Sequence, residues 1–365
     1  LEALMAFFLE STFMGVWIFG WDRLHKCVHA LVATFVALGT NLSAFWILVA
    51  NSFMQHPVGF VLRNGRAEME NFLTIVQNGY VPGQFFHIVL NGLLTAGVII
   101  MAISAWHLLR NNATEFYRRS AKWGMVIALV FGTLGALAGH HQGQYITKVQ
   151  PMKMAAMEAL WETQDPAPFS LVANIDTKAQ KNTGALEIPG GLSFLTQNSF
   201  TSGKVEGIKD LQAKAEAQYG HGNYIPDVPA IFWTFRVMVA SGSLMLLVAF
   251  VGLILNAKDK LVENRTFLKI MFWMLPLPFI AHSTGWFVAE AGRQPWLVYG
   301  LQLTADGASK SVTAPEIMTT IIGFTLVYIV AAIAAIYLAV EHIKKGPDGN
   351  PSHDVVEKEE ARLWN

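Results

Sequence analysis

Seven stretches of the chain are almost continuously apolar, and polar residues gather between them. The apolar runs fall at about 3–21, 28–54, 84–109, 123–140, 230–256, 267–291 and 315–340. Each comes close to or exceeds the roughly 20 residues that a helix needs to cross about 30 Å of hydrocarbon. The pattern predicts an all-α integral membrane protein with seven transmembrane helices. A polar stretch, 141–229, separates the fourth run from the fifth and predicts one large loop outside the hydrocarbon. The chain thus divides into 1–140 with four spans, the loop 141–229, 230–340 with three spans, and a charged tail, 341–365, expected to end without fixed structure.

Composition agrees. Of 365 residues 53% are hydrophobic and 14% are charged, well under the roughly 25% charged residues of a soluble domain. Mean hydropathy is +0.38. The 26 basic and 26 acidic residues balance, which argues against the basic face that a nucleic-acid partner requires. The single cysteine, Cys27, excludes an internal disulfide framework and any multi-cysteine metal site, and reads as a small buried apolar residue. The first residue is Leu1, already inside an apolar run, with no charged leader or cleavage motif. The expectation is that the natural N-terminus lies upstream.

Lys and Arg in the short connections set the orientation. One side holds Arg23, Lys26, Arg110, Arg118, Arg119, Lys122, Lys258, Lys260, Arg265, Lys269, Lys344 and Lys345, and the other only Arg63, Arg66, Arg293 and Lys310. The richer side is expected to be cytoplasmic, with the long loop outside and the C-terminus inside.

Ionisable residues within spans are costly and are functional candidates by default. Glu2 and Glu10 share the first span with no Lys or Arg. They suit proton transfer, metal ligation or a protonated structural carboxyl, and Ser11, Thr12 and Ser43 could extend a polar path. His87 and Met238 lie at similar depth on two different spans. A His/Met pair can hold a low-spin haem, although a lone His in a span usually makes a structural hydrogen bond and a lone Met usually packs. Arg236 could neutralise a propionate. Glu290 and Arg293 are three apart, on one helix face, which also suits a plain helix-end ion pair. His29, His56, His107, His140, His141, His282 and His342 lie mostly at span ends and favour interfacial or structural roles. These residues alone leave open a haem electron carrier without oxygen chemistry, or an ion or solute transporter.

Four runs narrow the reading. They are Gly285-Trp-Phe-Val-Ala-Glu290-Ala-Gly-Arg293-Gln-Pro-Trp296, Asn41-Leu-Ser43-Ala-Phe-Trp-Ile-Leu-Val-Ala-Asn51-Ser-Phe-Met-Gln55, the segment from Glu2 to Asp22, and Lys153-Met-Ala-Ala-Met-Glu158-Ala-Leu-Trp161-Glu-Thr163. Together they resemble subunit I of the cytochrome bd quinol oxidases. The likeness is weakest in 165–228 and in the tail.

That resemblance implies a terminal oxidase of bacterial or archaeal cytoplasmic membranes, which oxidises membrane quinol and reduces O2 to water. It implies His87 and Met238 as axial ligands of haem b558, with Arg236 beside them. Glu290 is implied at haem b595, with Trp286 and Arg293 nearby. Glu2, Glu10 and Ser43 are implied in proton delivery, and Lys153 and Glu158 in quinol binding on the loop. A third haem, haem d, and a second large subunit are expected, with a small single-span subunit as a further candidate partner. The family has nine spans here, so the two that precede these seven, with a high-spin haem ligand, are expected upstream. The loop resembles the short form of the family.

Overall fold

The computed structural model describes residues 2–309 and 311–347. The tail beyond residue 347 and Lys310, used above for orientation, lie outside the described residues. The chain is helical, with three short two-stranded hairpins in its connections.

An apolar helix opens the chain. It has a wider π-type turn at Ala3–Phe7 and continues as α1, Phe8–Phe19. Helix α2 follows, Lys26–Gln55. After a hairpin at Phe60–Met69 come α3, Phe72–Val76, and the long helices α4, Tyr80–Leu109, and α5, Thr114–Val149. Among the described residues six helical stretches are long and apolar enough to cross a membrane, α2, α4 and α5 among them, whereas Ala3–Phe19 is shorter. Helix α5 extends beyond the expected span 123–140 at both ends. At 1.5 Å per residue α5 runs about 54 Å, so its ends leave a hydrocarbon layer of roughly 30 Å.

The loop is folded. It contains α6, Pro151–Met157, a hairpin Phe169–Ile188, α7, Gly191–Gln197, and α8, Ile208–Tyr219. Then come α9, Val228–Ala257, α10, Arg265–Trp273, α11, Leu277–Ala291, and α12, Ala314–Lys345. The expected single span 267–291 is interrupted between α10 and α11. Pro276 and Pro278 lack the N–H that a helix interior needs and crowd the preceding turn. A capping box between Thr313 and Glu316 starts α12.

The described residues form two compact units. The first comprises 2–93, 131–242 and 279–307. Here α1 lies close on α2, because a Cβ on Gly39 would fall 2.9 Å from Glu10 Cβ. The loop carries two apolar cores. Met152, Ala156, Met157 and Trp161 pack with Ile208, Ile231, Phe232 and Val288. Met154, Leu160, Ala167, Leu192 and Val205 pack with Tyr80 and Ile146. The loop is thus built onto α4, α5, α9 and α11. Asn78 sets the turn between α2 and α4. It donates to Ser52 O and His56 O at 3.1 and 2.8 Å and accepts from Tyr80 N at 3.0 Å.

The second unit comprises 94–130, 243–278 and 308–347. Small residues let α4 and α5 meet, since a Cβ on Gly124 would lie 2.9 Å from Gly97 O. Buried His107 bonds Ile343 O at 3.0 Å and stacks on Tyr117 at 3.9 Å. Arg118 pairs with Asp259. Cys27, expected to be buried, is exposed in the first turn of α2.

Phe232 is fully buried in the loop core. Phe232→Ala is expected to cost about 3–5 kcal/mol. It should lower the unfolding temperature in detergent and speed proteolysis within 141–229.

Candidate functional site

A buried polar cluster lies where α6 meets α2 and α11. Lys153 is 2% exposed. Its Nζ donates to Gln55 Oε1 at 2.6 Å and to Ala289 O at 2.9 Å. Glu290 accepts from Asn51 Nδ2 at 2.8 Å and, more loosely, from Gln55 Nε2 at 3.4 Å. Its other oxygen pairs with Arg293 at 2.6 Å. Gln84 donates to Asn51 Oδ1 at 2.9 Å, and Gln150 to Gln55 Oε1 at 3.0 Å. Burial pulls the Lys153 ammonium down to about 7, with Arg293 adding to the effect and Glu290 opposing it.

Glu158 belongs to a second centre. It is 2% exposed, and its Oε2 pairs with Arg236 on α9 at 2.7 Å. The guanidinium also bonds Ser170 O and Met157 O and lies 3.6 Å over the Phe232 ring. Arg236 therefore reaches into the loop, with most of its donors engaged there. Glu158 Oε1 is buried without a partner, and burial pushes the carboxyl up to about 7 against the pull of Arg236. Lys153 and Glu158, grouped by sequence, thus point apart. Five residues of helix rotate a side chain by about 140°.

His87 projects from α4 toward α5. Its Nδ1 lies 2.9 Å from Gly135 O. A Cβ on Gly139 would fall 3.0 Å from His87 Cε1, and one on Gly135 2.9 Å from Asn91 Oδ1. The two glycines, one turn apart, clear the groove that holds this side of α4. Met238 projects from α9, and a Cβ on Gly285 of α11 would sit 2.8 Å from its Sδ. His282, one turn earlier on α11, bonds the Asn91 backbone.

These residues fit a metal-bound group. A carbonyl bonded to His87 Nδ1 fixes the N–H there and leaves the Nε2 lone pair for a metal, the usual second partner of a ligating histidine. Buried Arg293 Nη1 has no partner, and a carboxylate or propionate would satisfy it.

The first-span carboxylates both face α2. Glu2 accepts from Ser43 Oγ at 2.7 Å and Glu10 from Thr40 Oγ1 at 3.1 Å. Trp286 is 46% exposed on α11, one turn before Glu290. The sequence reading missed Asn51, Gln55, Gln84, Gln150 and Thr40. Amides at 51 and 55, one helical turn apart within an apolar run, were the available signal.

A mostly helical membrane protein with buried ionisable clusters and a histidine poised for a metal is a candidate redox protein of the bilayer. Residues 1–347 match the family described as cytochrome bd terminal oxidase subunit I, and the chain belongs to that family. It is 45% identical over 356 residues to cytochrome bd ubiquinol oxidase subunit 1 of Bacillus subtilis (strain 168), covering 97% of this chain and 76% of that protein. It is 35% identical over 422 residues to cytochrome bd-II ubiquinol oxidase subunit 1 of Escherichia coli (strain K12), covering 98% and 81%. The solved bd oxidase from Geobacillus thermodenitrificans is similar at a TM-score of 0.83 and 31% identity, over 95% of this chain and 78% of that one.

The two buried charges give opposite pH slopes. Between 4.5 and about 7 the folded protein keeps a proton on Glu158 that the unfolded chain has released, so its contribution to stability falls as pH rises. From about 7 toward 10.5 the folded protein has lost the Lys153 proton that the unfolded chain retains, so this contribution rises with pH. Glu158→Gln should flatten the first slope and Lys153→Met the second, measured by thermal unfolding in detergent across pH.

Proposed function

We propose that this chain is the haem-holding, quinol-oxidising subunit of a terminal respiratory oxidase, taking electrons from membrane quinol and reducing O2 to water. The observation that carries the reading is the His87 imidazole. Its Nδ1 is tied to a backbone carbonyl, glycines clear the space around it, and its Nε2 is left for a metal. Family membership supports haem cofactors and a multi-pass place in a membrane complex.

In this reading His87 and Met238 hold haem b558, and Glu290, with Trp286 and Arg293, serves haem b595. Haem d completes the set. When bound, the haems supply one-electron transfer and oxygen chemistry. The chain's own residues do the rest. A thioether ligand beside an imidazole ligand would raise the potential of an iron that Met238 and His87 held. Arg236 sits two residues from Met238 and is held by Glu158, so it places fixed positive charge at the loop end of α9. Glu158 Oε1 is an acceptor awaiting a donor, and a quinol hydroxyl supplies one. A carboxyl with its affinity near neutrality suits receipt of that proton.

Glu2 with Ser43, and Glu10 with Thr40, form hydroxyl–carboxyl pairs along α1 and α2, a suitable proton path toward the oxygen site. The loop faces outside and the C-terminus the cytoplasm of a bacterial or archaeal cell, as the Lys/Arg distribution favours. Protons from quinol are then released outside while those for water come from inside, which separates charge across the membrane. A second large subunit completes the complex, with a small single-span subunit as a further candidate. The segments 1–140, 141–229, 230–340 and 341–365 serve as first spans, quinol loop, last spans and cytoplasmic tail.

The assignment of Met238 is tested in the assembled oxidase by Met238→Leu. The expected result is a shifted spectrum and a lowered potential for the haem on His87, with the other bands kept. An unchanged spectrum and potential would remove Met238 from the ligand set.

Glu10→Gln keeps shape and most hydrogen bonding but cannot carry a proton. It is expected to assemble with its haems and to reduce O2 at least about a hundredfold more slowly, within the range attributed to a positioned acid–base group. Stopped-flow absorbance should show haem reduction by quinol less affected than the oxygen steps. Wild-type turnover would leave Glu10 a structural role.

A further inference from the structure

Gln55 is fully buried, and it lies between two charged groups that do not share a direct bond. Its Oε1 accepts from Lys153 Nζ at 2.6 Å and from Gln150 Nε2 at 3.0 Å. Its Nε2 faces Ala289 O at 3.2 Å, Asn51 Oδ1 at 3.4 Å and Glu290 Oε1 at 3.4 Å. An ammonium has only donors, so the amide must turn its oxygen to Lys153 and its nitrogen then faces Glu290. Reversing the amide would set donors against donors on one side and acceptors against acceptors on the other. Asn51 repeats the arrangement, accepting from Gln84 at 2.9 Å and donating to Glu290 at 2.8 Å.

We propose that Gln55 is a positioning residue that ties Lys153 on the loop to Glu290 on α11, so that the lysine acts on this carboxylate through the orientation of one buried amide. This rests on the reading that Glu290 serves a haem. It adds to Lys153 a role apart from quinol binding. Protonated Lys153 places a positive charge near Glu290, and the amide it orients keeps a donor on Glu290. Losing the cation favours the more positive, oxidised iron. Losing the donor makes the carboxylate a stronger ligand to that same oxidised state. Both changes lower the potential of the haem that Glu290 serves, and they act through one chain of contacts, so their effects should not add.

The test is a spectroscopic redox titration of the assembled oxidase carrying Lys153→Met, Gln55→Leu, both together, and Lys153→Arg. Lys153→Met and Gln55→Leu are each expected to lower the potential of the same high-spin haem and leave the haem on His87 in place. The double variant should match the larger single shift, and Lys153→Arg should stay near wild type. An unmoved potential in Lys153→Met, with only its quinol KM raised, would overturn the proposal, and so would fully additive shifts. If Gln55→Leu fails to retain its haems, the Met and Arg variants at Lys153 decide alone, and equal potentials in the two would overturn it. Glu290→Gln, titrated alongside, separates the two readings. If it leaves every haem unchanged, the reading of Glu290 fails. If it moves a haem that Lys153→Met does not, only the tie through Gln55 fails.

Discussion

A lysine ammonium without water must be met by acceptors, and the seat of the loop follows from how Lys153 is met. Burying an unpaired charge is among the most unfavourable steps in folding. Here the acceptors come from outside the loop, Gln55 on α2 and the Ala289 carbonyl on α11. The segment carrying Lys153 therefore cannot leave these helices without stranding the charge or exposing it. Gly292 shows how close the fit is, since a Cβ there would lie 2.9 Å from Lys153 Cγ. The lysine stem runs along the end of α11, and only glycine leaves room for it.

The second attachment uses different physics. Glu158 and Arg236 form a buried ion pair, and breaking one side of such a pair typically costs about 3–5 kcal/mol. Arg236 is further held by the Phe232 ring below it and by loop carbonyls. Lys153 meets one neutral amide and a backbone carbonyl, whereas Glu158 meets a full opposite charge and still keeps one unsatisfied oxygen.

Much of this was legible in the residues. Apart from α5, which runs nine residues past its apolar run at each end, apolar runs located the long helices to within a few positions, because the length of a hydrophobic stretch is set by the thickness it must cross. The runs around Glu290 and Asn51 stood out in the sequence, but that Asn51 donates to Glu290 is seen only in the structure. What failed was depth and partnership. Lys153 and Glu158 lie in a polar segment, and polarity along a chain does not tell whether a folded loop buries its own charges. The 141–229 segment folds because Met, Trp, Ile and Leu scattered among its polar residues gather into cores with α4, α5, α9 and α11, a pattern with no simple period. Arg236 looked free to serve a cofactor because its partner lies 78 residues away in sequence. The proline break between α10 and α11 was readable from Pro276 and Pro278, and apolarity alone concealed it.

Helix α11 explains why these contacts form one system. His282, Gly285 and Ala289 recur at three- and four-residue steps, the spacing of one helical face, and Arg293 continues the rhythm just past the helix end. Along that stripe α11 bonds the Asn91 backbone, gives Met238 its space, and accepts the Lys153 ammonium. Trp286 and Glu290, each one residue further on, form the adjoining stripe. A rotation or slide of α11 therefore changes the surroundings of Met238, Lys153 and Glu290 together. Lys153 resists such motion from the loop side, because its bond to the Ala289 carbonyl fixes the height of α11 and its bond to Gln55 fixes α2 against it. The folded loop and a helix that carries a candidate haem carboxylate are in this way kept in register by one buried lysine.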